Sequence, residues 1–431
     1  MPHRELQPVN TTSAKASDRG LKSTFYSLTI RDYRIFWSGS VASFFAGQMQ
    51  VPTQAWLAYQ ITNSALLLGL TYAAQGISQM MVAPFGGLLI DKMSKRNLII
   101  ITQVLTVLIN LVIAVLITTG QVQFWHILLS SFLGGAVNGI NMATRNAFVA
   151  EMVPTDKLYN AIALNNTGMN IARIAGPALA GVLIGFVGTQ GAYYVGIGFN
   201  VIAIITISFI AARPASIISK SQSALVQLKE GFRYLKVHNL ILILLIMEIG
   251  LTLFGMWFQG MMPVLAKLLN ADSTKYGFMM SAIGAGSLIG ALGIAYLGNL
   301  KRKNLLLTTT GVAFGIFLVM LGNSTGISSF LHISSSVYYL AIVCLIFLGI
   351  ISTAYTATSM TIIQMYVSNE FRGRITSLYQ MVIAVYPFSI LISSALANAL
   401  GLSMTLTIGG ISLIAFMLII SLTFKRILKL N

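Results

Sequence analysis

Apolar residues run along this chain in stretches long enough to cross a membrane. They show neither the alternation of strands nor the narrow stripes of soluble helices. Twelve such segments can be placed, at 33–59, 65–90, 97–118, 124–150, 158–186, 190–212, 240–268, 275–298, 304–322, 337–366, 373–399 and 402–424. A helix rises 1.5 Å per residue, so about 20 residues cross a hydrocarbon layer of about 30 Å. The pattern predicts an all-α polytopic membrane protein. A transmembrane barrel would show roughly ten-residue alternating segments instead, and none is present. An even number of crossings puts both termini on one side.

The polar breaks between segments test that count. Of the 27 Lys and Arg, all but four fall at the N-terminus, in every second loop, or at the C-terminus. The exceptions are Arg145 and Arg173, inside segments, and Lys267 and Lys275, in an odd-numbered loop. A wrong segment count would scramble this alternation. Basic loops face the cytoplasm in membrane proteins, so the expectation is an inner-membrane protein with both termini cytoplasmic. Charged residues are only 9% of the chain, hydrophobic residues are 56%, and the mean hydropathy is +0.81. The net charge of +17 then reflects topology and anionic lipid, not nucleic acid. A single Cys344 excludes a disulfide framework. No phosphate loop of the Gly-x-x-x-x-Gly-Lys-Ser/Thr type is present, and nothing points to an enzyme or a metal site.

The two halves of the chain repeat. Lys95-Arg96-Asn97 after segment 2 corresponds to Arg302-Lys303-Asn304 after segment 8. The expected organisation is a disordered cytoplasmic tail (1–24), a six-helix bundle (25–212), a cytoplasmic linker (213–239), a second six-helix bundle (240–424) and a basic tail (425–431). In the linker, Leu225, Leu228, Phe232 and Leu235 share a helical face opposite Lys229, Arg233 and Lys236. That predicts an amphipathic helix lying on the inner leaflet.

Polar groups inside apolar segments are costly and therefore informative. Glu248 is the one acid well inside a segment, with Thr252 and Gln259 on its helical face. Two roles fit it: a proton-coupling or substrate group, or a structural partner for a buried base. Arg173 is the deepest base, with Asn166 and Asn170 on its face. It is always charged and must meet water, an acid or an anionic ligand; a salt bridge to Glu248 would satisfy both. Asn138, Asn141 and Arg145 share a face in segment 4, and Glu151 follows. Gln50, Gln54 and Trp56, Tyr72, Gln75 and Gln79, Trp257 and Gln259, and Tyr355, Thr356, Ser359 and Gln364 are candidates for a polar, aromatic pathway lining. On segment 5, Gly168, Ala172, Gly176 and Ala180, with Pro177 and Gly181, form a small-residue face that lets a partner helix come close.

Two motifs carry a family resemblance. Gly87-x-x-x-Asp91-Lys92-x-Ser94-Lys95-Arg96 resembles the loop between helices 2 and 3 of the major facilitator superfamily, with Ser94 where Gly is usual and Lys for two arginines. Gly176-Pro177-x-x-Ala180-Gly181 resembles the antiporter motif of that superfamily's exporters. Further stretches, including Arg31-Asp32-Tyr33-Arg34 and Glu370-Phe371-Arg372-Gly373-Arg374, look like an exporter branch that includes the enterobactin exporter and macrolide efflux proteins. The resemblance implies twelve helices in two pseudo-symmetric halves, with helices 1, 4, 7 and 10 lining the pathway. It also implies a cytoplasmic latch in which Asp91 meets helix 11 and Lys95 or Arg96 pairs with Glu151 in the outward-facing state. The expected activity is proton-driven efflux of a siderophore or drug, with no cofactor. The expected partners are that amphipathic substrate and lipid. The expected state is a monomer, acting alone or with a periplasmic or outer-membrane export system. The alternatives are a proton-coupled nutrient symporter and a non-transporting receptor or platform.

Overall fold

A computed structural model describes residues 26–154, 157–211, 230–231, 233–235, 238–297, 303–324, 326, 337–368 and 371–423. Both expected tails and most of the linker lie outside these residues. Twelve crossings follow: α1 (Arg31–Thr62), α2 (Ala65–Lys92), α3 (Lys95–Thr118), α4 (Phe124–Met152), α5 and α6 (together Leu158–Ser208), α7 (Asn239–Leu268), α8 (Ser273–Leu297), α9 (Lys303–Gly322), α10 (Val337–Tyr366), α11 (Arg372–Leu400) and α12 (Leu402–Thr423). Ten helices are apolar and long enough to cross a membrane by hydropathy alone. The 51-residue helix Leu158–Ser208 is two of the twelve, because Gly188 breaks it at φ 77. That left-handed conformation suits glycine, and it replaces the loop expected between segments 5 and 6. The remaining crossing is α1.

Local chemistry sets the breaks. Asn63 ends α1 in the left-handed conformation (φ 49), and the Ser64 hydroxyl accepts from Leu67 N at 3.3 Å to cap α2. Proline explains two breaks that periodicity does not predict. α7 is helical over Asn239–Phe254, becomes a 3-10 turn over Met256–Met261, and resumes at Met262–Leu268, where Pro263 sits in the first turn. α11 stops at Ile383 and resumes at Tyr386, with Pro387 in its first turn. Proline lacks an N–H and crowds the carbonyl four residues back. Pro52 and Pro177, by contrast, sit inside unbroken helices.

The described part of the linker, residues 230–231 and 233–235, packs on protein. Leu235 is buried in the core of the C-terminal half, and Gly231 lies against Leu378. The Tyr234 ring stacks on Phe371 with centroids 4.6 Å apart, and Arg374 pairs with Glu230 at 2.9 Å. Residues 225, 228 and 232 of the expected apolar face lie outside the described side chains.

The face that bears Lys92, Lys95, Arg96, Arg372 and Arg374 is the basic face. The two halves meet towards the other one. There the Tyr276 hydroxyl of α8 donates to the Pro52 carbonyl of α1 at 3.1 Å, and the Trp56 ring lies 5.0 Å from that of Tyr276. The Lys267 ammonium donates to the Asn63 side chain and sits 5.8 Å above the Tyr59 ring. Ser64 donates to Asn398 at 3.4 Å. Glycines close the remaining seams: a Cβ at Gly76 would strike Pro387, and one at Gly69 would strike Ser394. Towards the basic ends, a Cβ at Gly86, Gly87 or Gly293 would meet nothing within 4 Å. The molecule is therefore closed at the non-basic face and spread at the basic face.

Candidate functional site

Between the halves lies a cavity of about 490 Å³. Its walls come from α1, α2 and α5 on one side and α7, α8, α10 and α11 on the other. Helix 4 contributes nothing to it, against the expectation that helices 1, 4, 7 and 10 line the pathway. Of the expected lining, Tyr72, Gln75, Gln79, Gln259 and Thr356 face the cavity, and so do Arg173 and Pro177. Sequence reasoning missed Gln48, Ser287, Thr353 and Tyr386, and the apolar Met256, Met280 and Ile283. Three prolines, Pro52, Pro177 and Pro387, line the same space. Irregular backbone is tolerated at membrane depth where it borders a cavity.

Several expected pathway residues are bonded within one half instead. The Gln54 amide donates to Ser130 and Ser131 of α4 at 3.1 and 2.8 Å. The Asn110 amide donates to Gln50 at 3.3 Å. Arg145 is buried; its Nε donates to Asn141 at 2.8 Å and its Nη1 to Ser40 at 2.8 Å, while Asn141 donates to Thr102 at 2.6 Å. This network ties α4 to α1 and α3 and does not open on the cavity. Trp257 is enclosed, with its indole N–H on Phe254 O at 3.0 Å.

Glu248 is 3% exposed and does not line the cavity. The Tyr379 and Tyr355 side chains lie close to its carboxyl, and Oε2 has no hydrogen-bond partner. No ion pair joins it to Arg173 among the described residues, so the salt bridge weighed for the two is not formed. Arg173 instead presents an exposed side chain to the cavity. Asn170, one turn earlier, is half-buried.

The small-residue motif of α5 is divided between two partners. Gly168 abuts Val41 of α1, and Gly176 abuts Gln48, while Ala172 is fully buried. Pro177 and Gly181 meet α8: a Cβ at Gly277 would lie 2.6 Å from the Pro177 carbonyl oxygen and 2.8 Å from the Gly181 Cα.

In the loop motif, Lys95 pairs with Glu151, both in the N-terminal half. That is the pairing the resemblance implies, here joining α3 to α4. Lys95 starts α3 and Glu151 lies near the end of α4. Each is the wrong sign for its own helix dipole, so each depends on the other. Arg96 caps α6 instead, donating to Ser208 O at 2.6 Å and Ile207 O at 3.4 Å. Arg372–Ile383 packs against α7. Lys92 is exposed, a Cβ at Gly87 would meet nothing within 4 Å, and the Asp91 side chain lies outside the described ones. Exposed pairs contribute about 0–1 kcal/mol and breaking a buried one costs about 3–5 kcal/mol; this half-buried pair lies between. Lys95→Met is expected to cost about 2 kcal/mol, read as a lower melting temperature of the purified protein. Lys95→Met with Glu151→Gln should recover most of the loss.

Known proteins give the same picture at a coarser level. The family model described as transmembrane secretion effector matches residues 22–428. Macrolide efflux protein A of Streptococcus pyogenes is 20% identical over 399 residues, covering 92% of this chain and 96% of that protein. The staphyloferrin A transporter of Staphylococcus aureus is 22% identical over 404 residues, covering 90% and 94%. Among solved structures, the nucleoside transporter NupG superposes with a TM-score of 0.71 at 12% identity, covering 93% of this chain and 100% of that one. An inward-facing bacterial homologue of the iron transporter ferroportin gives 0.66 at 15%, covering 92% and 98%. At such identities these structures speak for the fold alone. With its twelve helices in two halves around a shared cavity, the chain is an integral membrane protein of the transmembrane secretion effector family, within the major facilitator superfamily of transporters.

Proposed function

We propose that this protein is a secondary active exporter. It moves an amphipathic small molecule out of the cytoplasm by alternating access, in exchange for protons. The observation that carries this reading is the cavity, walled by both halves, closed at the non-basic face and spread at the basic one. With the basic loops in the cytoplasm, that is the state in which an exporter loads. Both termini are then cytoplasmic and the membrane is the bacterial inner membrane. Support for export over uptake comes from the α5 motif and from the relative named for macrolide efflux. Glu248 is the group we assign to proton coupling. It is enclosed, beside Tyr379 and apart from the cavity, so it can be protonated without direct competition from substrate.

The experiment compares culture medium with and without the gene under iron limitation, for chelating activity, and then repeats the comparison with erythromycin efflux. Everted vesicles give the direction: acidifying their interior should drive substrate inward, and a protonophore should release it. Accumulation by energised intact cells would overturn the direction in favour of uptake.

A further inference from the structure

We propose that the cavity selects an anion: an amphipathic molecule bearing carboxylate or another oxyanion, held by Arg173. This rests on the cavity being the transport site. Among the described residues, Arg173 is the one charged residue lining it, and no acid lines it. The side chain is exposed to the cavity, and no described residue hydrogen-bonds or ion-pairs with it. Unpaired cations at membrane depth are retained where they face water or a ligand. A guanidinium keeps its charge and presents five donors in a planar fork, which fits a carboxylate two-handed.

The surroundings extend that match. Gly284 packs against the Arg173 backbone, where a Cβ would lie 2.9 Å from its carbonyl oxygen. The base of the side chain is thus fixed from α8. Gln48 and Gln75 share the N-terminal wall with Arg173, while Gln259 and Thr356 face it from the other half. They supply neutral donors to the remaining oxygens of an anion. Met280 and Ile283 offer an apolar wall for the rest of the ligand. Glu248, the nearest candidate counter-charge in sequence terms, does not line the cavity, so nothing among its walls offsets the guanidinium. A cationic amphiphile of the same size meets a standing positive charge and no acid to receive it.

Two xanthene dyes of opposite charge separate the cases: 5-carboxyfluorescein and rhodamine 6G. Binding to the purified full-length protein is read by fluorescence polarisation, with no gradient and no turnover. Wild type should bind the anionic dye at least tenfold more tightly than the cationic one. Arg173→Gln should weaken the anionic dye at least tenfold, Arg173→Lys less, and a melting curve of each variant reports folding. Tighter binding of rhodamine 6G by wild type, anion binding unchanged in Arg173→Gln, or binding of neither dye overturns the proposal. Charge-dependent binding without proton-driven transport leaves the proposal standing and removes the exporter reading. Proton-driven transport of rhodamine 6G does the reverse.

Discussion

Gly277→Leu is expected to abolish transport while the protein still inserts and folds. Gly277 faces the Pro177 carbonyl and Gly181 with no room for even one carbon. The opposing atoms are backbone, which cannot swing aside as a side chain would. Overpacking a tight contact costs about 1–3 kcal/mol, and each 1.4 kcal/mol is a tenfold change in an equilibrium. The cost falls on the state in which α5 and α8 meet at this seam, so the state closed at the non-basic face is depopulated ten- to hundredfold. Within each half, the other packing is untouched. Ser394→Cys in a Cys344→Ser background reports the shift, because Ser394 is fully buried under Gly69 in the closed seam. Impermeant maleimide added from the non-basic face should label it faster in Gly277→Leu. Gly198→Leu, on α6 and outside the cavity walls, meets open space and should behave as wild type. Unchanged labelling together with retained transport would show that this seam does not gate the protein.

Glu248→Gln is the second large effect. Glutamine keeps the size of the side chain and an oxygen beside the Tyr379 hydroxyl. It removes only the exchangeable acidic proton. Efflux driven by a pH gradient is expected to fall at least a hundredfold, a loss of about 2.7 kcal/mol in coupling. Exchange of labelled for unlabelled substrate, which needs no net proton movement, should continue at a similar rate. That split distinguishes coupling from structure: a merely structural carboxyl would lose both or neither. Tyr379→Phe, which deletes the hydroxyl beside Glu248, should shift the pH profile of efflux without abolishing it.

The crossings were legible because lipid imposes both length and sign, and each apolar run ends in a loop whose bases alternate by side. The α5 small-residue face was legible because close helices need small side chains, and the Lys95–Glu151 pair was legible through the loop's resemblance to the major facilitator motif. What the sequence hid was phase. Ideal periodicity puts Glu248, Thr252 and Gln259 on one face, but the 3-10 turn at Met256–Met261 intervenes. Gln259 then lines the cavity, while Glu248 turns to Tyr355 and Tyr379. Gln54 and Arg145 misled for another reason. A polar side chain inside an apolar segment looks the same whether it faces a pathway or a serine on the next helix. The α8 wall gave no signal at all, because Met280 and Ile283 are ordinary membrane residues until a cavity is placed beside them.

The broken α7 carries one more implication. A 3-10 turn rises about 2.0 Å per residue and an α-helix about 1.5 Å, with three residues per turn against 3.6. Rewinding the six residues Met256–Met261 would shorten α7 by about 3 Å and rotate its far end by about a third of a turn. Lys267 rides on that end, against Asn63. The helix is thus built as a screw, and its stroke and twist are locked together by backbone geometry. A small local rewinding beside the cavity would be felt as a withdrawal at the membrane surface, with no need for either bundle to tilt first.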